Sequence, residues 1–111
     1  MSDQRGKVLS FGPFELSIGK RLLTNGAKVV PLGGRATDLL IVLVEQANKV
    51  VDRRTLIECV WPKRGVEQVS LRVHISALRK ALDQSDPGRR YIANVPGQGY
   101  SFVGFVNSTW A

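Results

Sequence analysis

A chain of 111 residues has room for one domain, and at 43% hydrophobic and 23% charged it has the means to bury a core, which excludes a disordered or fibrous polypeptide. Sixteen lysines and arginines against nine aspartates and glutamates leave a net charge of +7. Such an excess favours a polyanionic partner, nucleic acid first and an anionic membrane surface second.

The first residues, 1 to 6, show no periodicity and are expected to fray; residues 1–7 read as a flexible N-terminus, 8–106 as the domain, and 107–111 as a tail or the start of a linker. From Val8 to Val30 short apolar stretches are broken by Gly12-Pro13 and Asn25-Gly26. Phe14, Leu16 and Ile18 alternate with polar residues, the period of a half-buried strand. Asn25-Gly26 between two apolar runs marks a hairpin, because both residue types tolerate positive φ. These signals predict a small antiparallel sheet of three or four strands.

Helical spacing follows. Ala36, Leu39, Leu40, Leu43 and Ala47 fall on one face of a helix from Arg35 to Ala47. A shorter helix is capped by Asp52, buries Leu56, Ile57 and Val60, and stops at Pro62. After the basic loop Lys63-Arg64-Gly65, a third helix is expected from about Glu67 to Asp83. Pro87-Gly88 ends that region, and Tyr91–Val95 and Tyr100–Val103 flank Pro96-Gly97-Gln98-Gly99 as a second hairpin.

Projected at about 100° per residue, the third helix separates into two faces. Leu71, Ile75, Leu78 and Leu82 form the inner stripe. Val69, Arg72, Val73, Ser76, Arg79 and Lys80 collect on the outer face, with Ser70 and Ala77 on its margin and His74 on the flank. That face is basic, built of small side chains, and free of carboxylates, whereas ordinary solvated helices mix both signs. It suits the major groove of DNA. Ser70, Ser76 and Ala77 permit close approach, Val73 can meet a thymine methyl, and Arg72 can reach guanine acceptors, while Arg79 and Lys80 are placed for phosphates.

A short helix, a basic loop and a longer basic helix form the helix-turn-helix plan, and a glycine-tipped hairpin after it is the wing of a winged helix. Arg89 and Arg90 at its base add charge beside the same surface. Val73-His74-Ile75-Ser76-Ala77-Leu78-Arg79-Lys80-Ala81-Leu82, followed by Tyr91-Ile92-Ala93-Asn94-Val95-Pro96-Gly97-Gln98-Gly99-Tyr100-Ser101-Phe102, resembles the winged helix-turn-helix output domain of OmpR/PhoB-type transcriptional regulators. Val50-Val51-Asp52-Arg53 and Val60-Trp61-Pro62 fit the two ends of that family's second helix, and the resemblance spans about Phe11 to Val103.

The resemblance implies an α+β fold with an N-terminal antiparallel sheet, three helices and a C-terminal hairpin wing. It implies sequence-specific binding of double-stranded DNA for transcription regulation, in a family that serves phosphorelay signal transduction. The loop from Trp61 to Val66 is one that some relatives use to touch RNA polymerase, and relatives commonly occupy DNA as head-to-tail dimers. Arg90 and Gln98 join the helix residues as expected DNA contacts. Two departures stand out: Pro96 replaces the arginine common at the wing tip, and Gly33 and Ala36 replace the Thr and Glu of a capping box. Few residues precede the first strand, which speaks against a preceding phosphoacceptor receiver. The chain reads as either a free-standing protein or the N-terminal DNA-binding part of a longer regulator. The wing sequence Asn94-Val95-Pro96-Gly97, similar to relatives in which the DNA-binding domain comes first, favours the second.

Competing chemistry is thinly represented. Cys59 is the only cysteine and His74 the only histidine, so a metal site lacks ligands; no cofactor is expected. Cys59, beside Val60 and Trp61, reads as a small buried hydrophobe in a reducing, cytoplasmic compartment. Trp61 reads as a core cap, and Arg53 and Arg54 as solvated. Gly97-Gln98-Gly99 lacks the third glycine and the helix of a dinucleotide loop. No Ser-His-Asp or paired-carboxylate constellation indicates an enzyme. The longest apolar run, Leu39 to Val44, falls far short of the ~20 residues of a membrane span, and no secretory signal follows Met1. The alternative to DNA binding is a winged helix used as a protein–protein interaction module, its basic face docked on an acidic partner.

Overall fold

The computed structural model describes residues 6–110. Strands β1 (Lys7–Phe11), β2 (Phe14–Ser17), β3 (Leu22–Asn25) and β4 (Lys28–Val29) form an antiparallel meander. Leu9 pairs with Leu16 and Leu16 with Leu23, so alternation puts one leucine per strand in a row on the buried face. The Asn25-Gly26 signal is displaced by one residue. Asn25 pairs with Lys28 across the ladder, so Gly26 and Ala27 make the turn. The Asn25 amide instead donates to the Ser85 carbonyl at 3.1 Å and its hydroxyl at 2.9 Å.

Three helices share one hydrophobic core with this sheet. Helix α1 (Gly34–Glu45) buries Ala36, Leu39, Leu40, Leu43 and Val44, and α2 (Arg53–Val60) buries Leu56, Ile57 and Val60. Asp52 caps α2 as expected, its carboxylate accepting from the Thr55 amide at 3.3 Å. Gly33 gives α1 no side-chain cap. Arg21 and Arg35 both pair with Asp38 in the first turns of α1. Helix α3 (Leu71–Ser85) buries Leu71, Ile75, Leu78 and Leu82, the stripe read from its spacing.

The second sheet holds the hairpin β6 (Ile92–Val95) and β7 (Gly99–Phe102). Its third strand, β5 (Val50–Val51), comes from the α1–α2 connection and pairs Val51 with Tyr100, an attachment the sequence reading did not contain. Phe11, Phe14, Tyr91 and Phe102 join the two sheets through ring contacts of 4.9–5.8 Å.

Four expectations are corrected. Residues 107–110 do not fray but form β8 (Asn107–Trp110), antiparallel to β1, while residues 1–5 and 111 lie outside the described residues. Lys7, assigned to the N-terminal tail, is the first residue of β1. The third helix starts at Leu71, because Val66–Gln68 form a separate 3₁₀ turn. Cys59 is exposed: it lies about 100° from the middle of the inward stripe of α2, too far round to reach the core.

Tyr91 gives the joint a measurable signature. It is buried, and its hydroxyl donates to the Asp86 carboxylate at 2.5 Å. Burial, then the Asp86 hydrogen bond and charge, push its pKa up from 10.0 to about 12. A group raised above its unfolded value stabilises fully below that value and loses its contribution as pH climbs through the folded one. The stability of the domain should therefore fall between about pH 10 and about pH 12, and less steeply in Tyr91→Phe, as read from urea midpoints across that window. Equal slopes would show that the phenol is not held protonated by the fold.

Candidate nucleic-acid interface

The outer face of α3 is open along its length. Arg72, Val73, Ser76, Ala77 and Lys80 are exposed, Val73 to 62%. No carboxylate lies on α3 before Asp83. Ser70 stands exposed at the N-cap and its side chain makes no capping bond.

The start of α3 is fixed by the preceding loop. Gln68 accepts from the Gly65 amide at 3.2 Å, closing the 3₁₀ turn. Arg53, read as solvated, donates to the carbonyls of Val66 and Val69, each at 3.2 Å, and so ties α2 to the approach of α3. His74 is half-buried against Trp61, ring centroids 4.7 Å apart, and Trp61 is buried as a core cap.

Two expected contact residues take other positions. Val69 is 6% exposed. It precedes the helix in extended conformation (φ −110°, ψ 124°), so helical projection does not apply there and its side chain turns into the core. Arg79 is half-buried rather than free for phosphate. Its Nη2 donates to the Ile92 carbonyl at 3.0 Å and to Asn94 Oδ1 at 2.5 Å, Nε approaches the same carbonyl at 3.3 Å, and the guanidinium lies 6.0 Å from the Tyr100 ring centroid. The fork is occupied by the β6–β7 hairpin. Asn94 was missed as its partner, though an asparagine within the apolar run Ile92–Val95 was the available signal.

The hairpin stands beside α3 as a wing. Its tip, Pro96-Gly97-Gln98, is exposed, and Gly97 adopts φ +73°. A groove of about 850 Å³ lies between α3 and β6; its floor includes Leu82, Ile92 and Val103, and the exposed cations Lys80, Arg89 and Arg90 lie along it together with the carboxylate of Asp83. Arg72, Ser76 and Lys80 on the helix, Arg90 at the wing base and Gln98 at the tip thus border accessible surface. Among the described residues no group of three or more His, Cys, Asp or Glu comes together to hold a metal, and no helix is long and apolar enough to cross a membrane.

Residues 26–102 match the family described as transcriptional regulatory protein, C terminal. The chain is 37% identical over 81 residues to the cholera toxin homolog transcriptional activator of Vibrio parahaemolyticus, covering 71% of this chain and 28% of that protein. The chain therefore spans under a third of that relative's length. Among solved structures, the DNA-binding domain of E. coli CadC superposes with a TM-score of 0.80 at 28% identity, covering 96% of this chain and 99% of that one. The RstA DNA-binding domain of Klebsiella pneumoniae, in complex with the RstA box, gives 0.73 at 28% identity over 86% of this chain and 96% of that one.

Proposed function

The chain belongs to the transcriptional regulatory protein C-terminal family, the OmpR/PhoB-type winged-helix DNA-binding domains, and we propose from that membership and from its geometry that α3 enters the major groove of duplex DNA while the wing lies on the adjacent backbone or minor groove. The carrying observation is the exposed, carboxylate-free face of α3 bearing Arg72, Val73, Ser76 and Lys80. Arg72 reads base edges, Val73 takes a thymine methyl, and Ser70, Ser76 and Ala77 let the backbone close on the groove. Lys80 and Arg90 neutralise phosphates, with His74 at the margin and Gln98 in place of the usual tip arginine.

The proposal extends to the surroundings. The domain, which takes in β1 from Lys7 and β8 to Trp110, works as the DNA-binding part of a longer cytoplasmic regulator, in a binding rather than an enzymatic role. The loop 61–66 presents Lys63 and Arg64 to solvent, a surface suited to RNA polymerase, and two domains occupy DNA head to tail. Sedimentation with a two-site duplex, expected to yield a 2:1 complex, tests the last point.

Salt decides the main one. If α3 and the wing neutralise several phosphates, affinity for a duplex selected from a random pool should fall steeply as salt rises, by roughly 10³ or more between 50 mM and 200 mM for six or more contacts. A flat profile would overturn the duplex reading and leave the basic face to an acidic protein partner.

A further inference from the structure

Arg79 sits on the recognition helix, and its guanidinium is spent on the wing. Three donor contacts reach β6: two to the Ile92 carbonyl, at 3.0 and 3.3 Å, and one to Asn94 Oδ1 at 2.5 Å. Tyr100 on β7 lies beneath the same group at 6.0 Å from ring centroid to Cζ, within range of a cation–π contact. One planar side chain thereby spans α3 and both strands of the hairpin. Elsewhere the wing is held at its base, by β5 on β7 and by the Asn48 amide, which donates to the Phe102 carbonyl at 2.7 Å. Nothing else among the described hydrogen bonds ties α3 to β6 between Ile92 and Val95.

We infer that Arg79 and Asn94 act as a positioning pair: they fix the wing relative to α3, so that helix and wing meet DNA as one preformed surface. This rests on the duplex-binding reading and assigns the pair a role in it that touches no nucleotide. A wing free to move must be ordered on binding, and that ordering subtracts from affinity. A guanidinium is suited to the task because its fork is rigid, whereas a lysine offers the same charge on a flexible stem and cannot span a carbonyl and an amide oxygen at once.

The alternative is that Arg79 leaves the wing and contacts a phosphate, and the two roles give opposite results for Asn94. Under the positioning role, Arg79→Ala, Arg79→Lys and Asn94→Ala each weaken binding to the selected duplex by on the order of tenfold, the double variant is little worse than either single one, and amide exchange of residues 93–100 in the free protein speeds up in all of them. Two binding results would overturn it: Asn94→Ala binding as tightly as the parent or tighter, since release of the guanidinium would then help; or Arg79→Lys binding as tightly as the parent, since charge alone would then suffice. Unchanged wing exchange in both Arg79→Ala and Asn94→Ala would overturn it equally. A parent protein that bound no duplex would defeat the underlying reading instead, and the exchange measurement would still decide whether the pair holds the wing.

Discussion

Gly99→Val is expected to cost the domain about 3 kcal/mol or more and to lower Tm by roughly 10–20 °C. The reason is local. Gly99 adopts φ +151°, a conformation side-chain-bearing residues rarely enter, and a Cβ built there would stand 2.2 Å from the Val51 carbonyl oxygen and 2.8 Å from the Asp52 Cα. Both obstacles are backbone, so no side chain can swing aside. The alternative is for β7 to lift off β5, which breaks the Val50–Ser101 and Val51–Tyr100 pairs and withdraws the wing from the body of the domain. Gly97 provides the comparison, two residues away in the same turn. Its φ is +73°, but a Cβ there meets nothing within 4 Å, so Gly97→Ala should cost only the backbone preference, about 1 kcal/mol. Thermal melts of the two variants side by side check the claim. Equal losses would mean that positive φ alone sets the cost and that the close approach of β7 to β5 contributes nothing.

What the sequence displayed of this fold depended on whether side-chain pattern or backbone pairing set the structure. The leucine row of β1, β2 and β3 and the inward stripe of α3 are patterns of burial, and burial writes itself into sequence as periodicity. Strand β8 writes nothing. Asn107, Ser108, Thr109 and Trp110 are all exposed, so no alternation is selected, and main-chain pairing with β1 makes the strand. Strand β5 has two residues, too few for any period to show. At the candidate interface the outer face of α3 was readable wherever the helix is regular. Val69 failed because the chain is extended there, and Arg79 because a wheel gives a direction and not a partner. The carbonyl of Ile92 and the amide of Asn94 come within reach only after the hairpin folds back on α3, a contact across 13 and 15 residues that no local spacing encodes.

The largest effect on binding is expected from Arg72 and Lys80, and it should divide by kind. Neither side chain takes part in the ion pairs among the described residues, which use Lys7, Arg21 and Arg35, and both are exposed, so replacing them should leave Tm nearly unchanged. Loss of binding then reports on the interface and not on folding. Arg72 lies early on α3, one residue before Val73 and four before Ser76, where a helix seated in the major groove meets base edges. Arg72→Ala should cost about 1–3 kcal/mol on the preferred duplex and much less on unrelated ones, because a bidentate base contact is lost only where that base was present. Lys80 lies two turns further on, beside the groove that Arg89 and Arg90 border. Lys80→Ala should weaken all duplexes by a similar factor and reduce the slope of log affinity against log salt by about one, the signature of one released counterion. The pair should be additive, since the two act on different parts of the nucleic acid and are not neighbours on the helix. Competition between the selected duplex and random DNA across a salt series measures all three quantities together. Uniform losses from Arg72→Ala, with no change in base preference, would move sequence reading away from the first turns of α3 and leave that helix a purely electrostatic role.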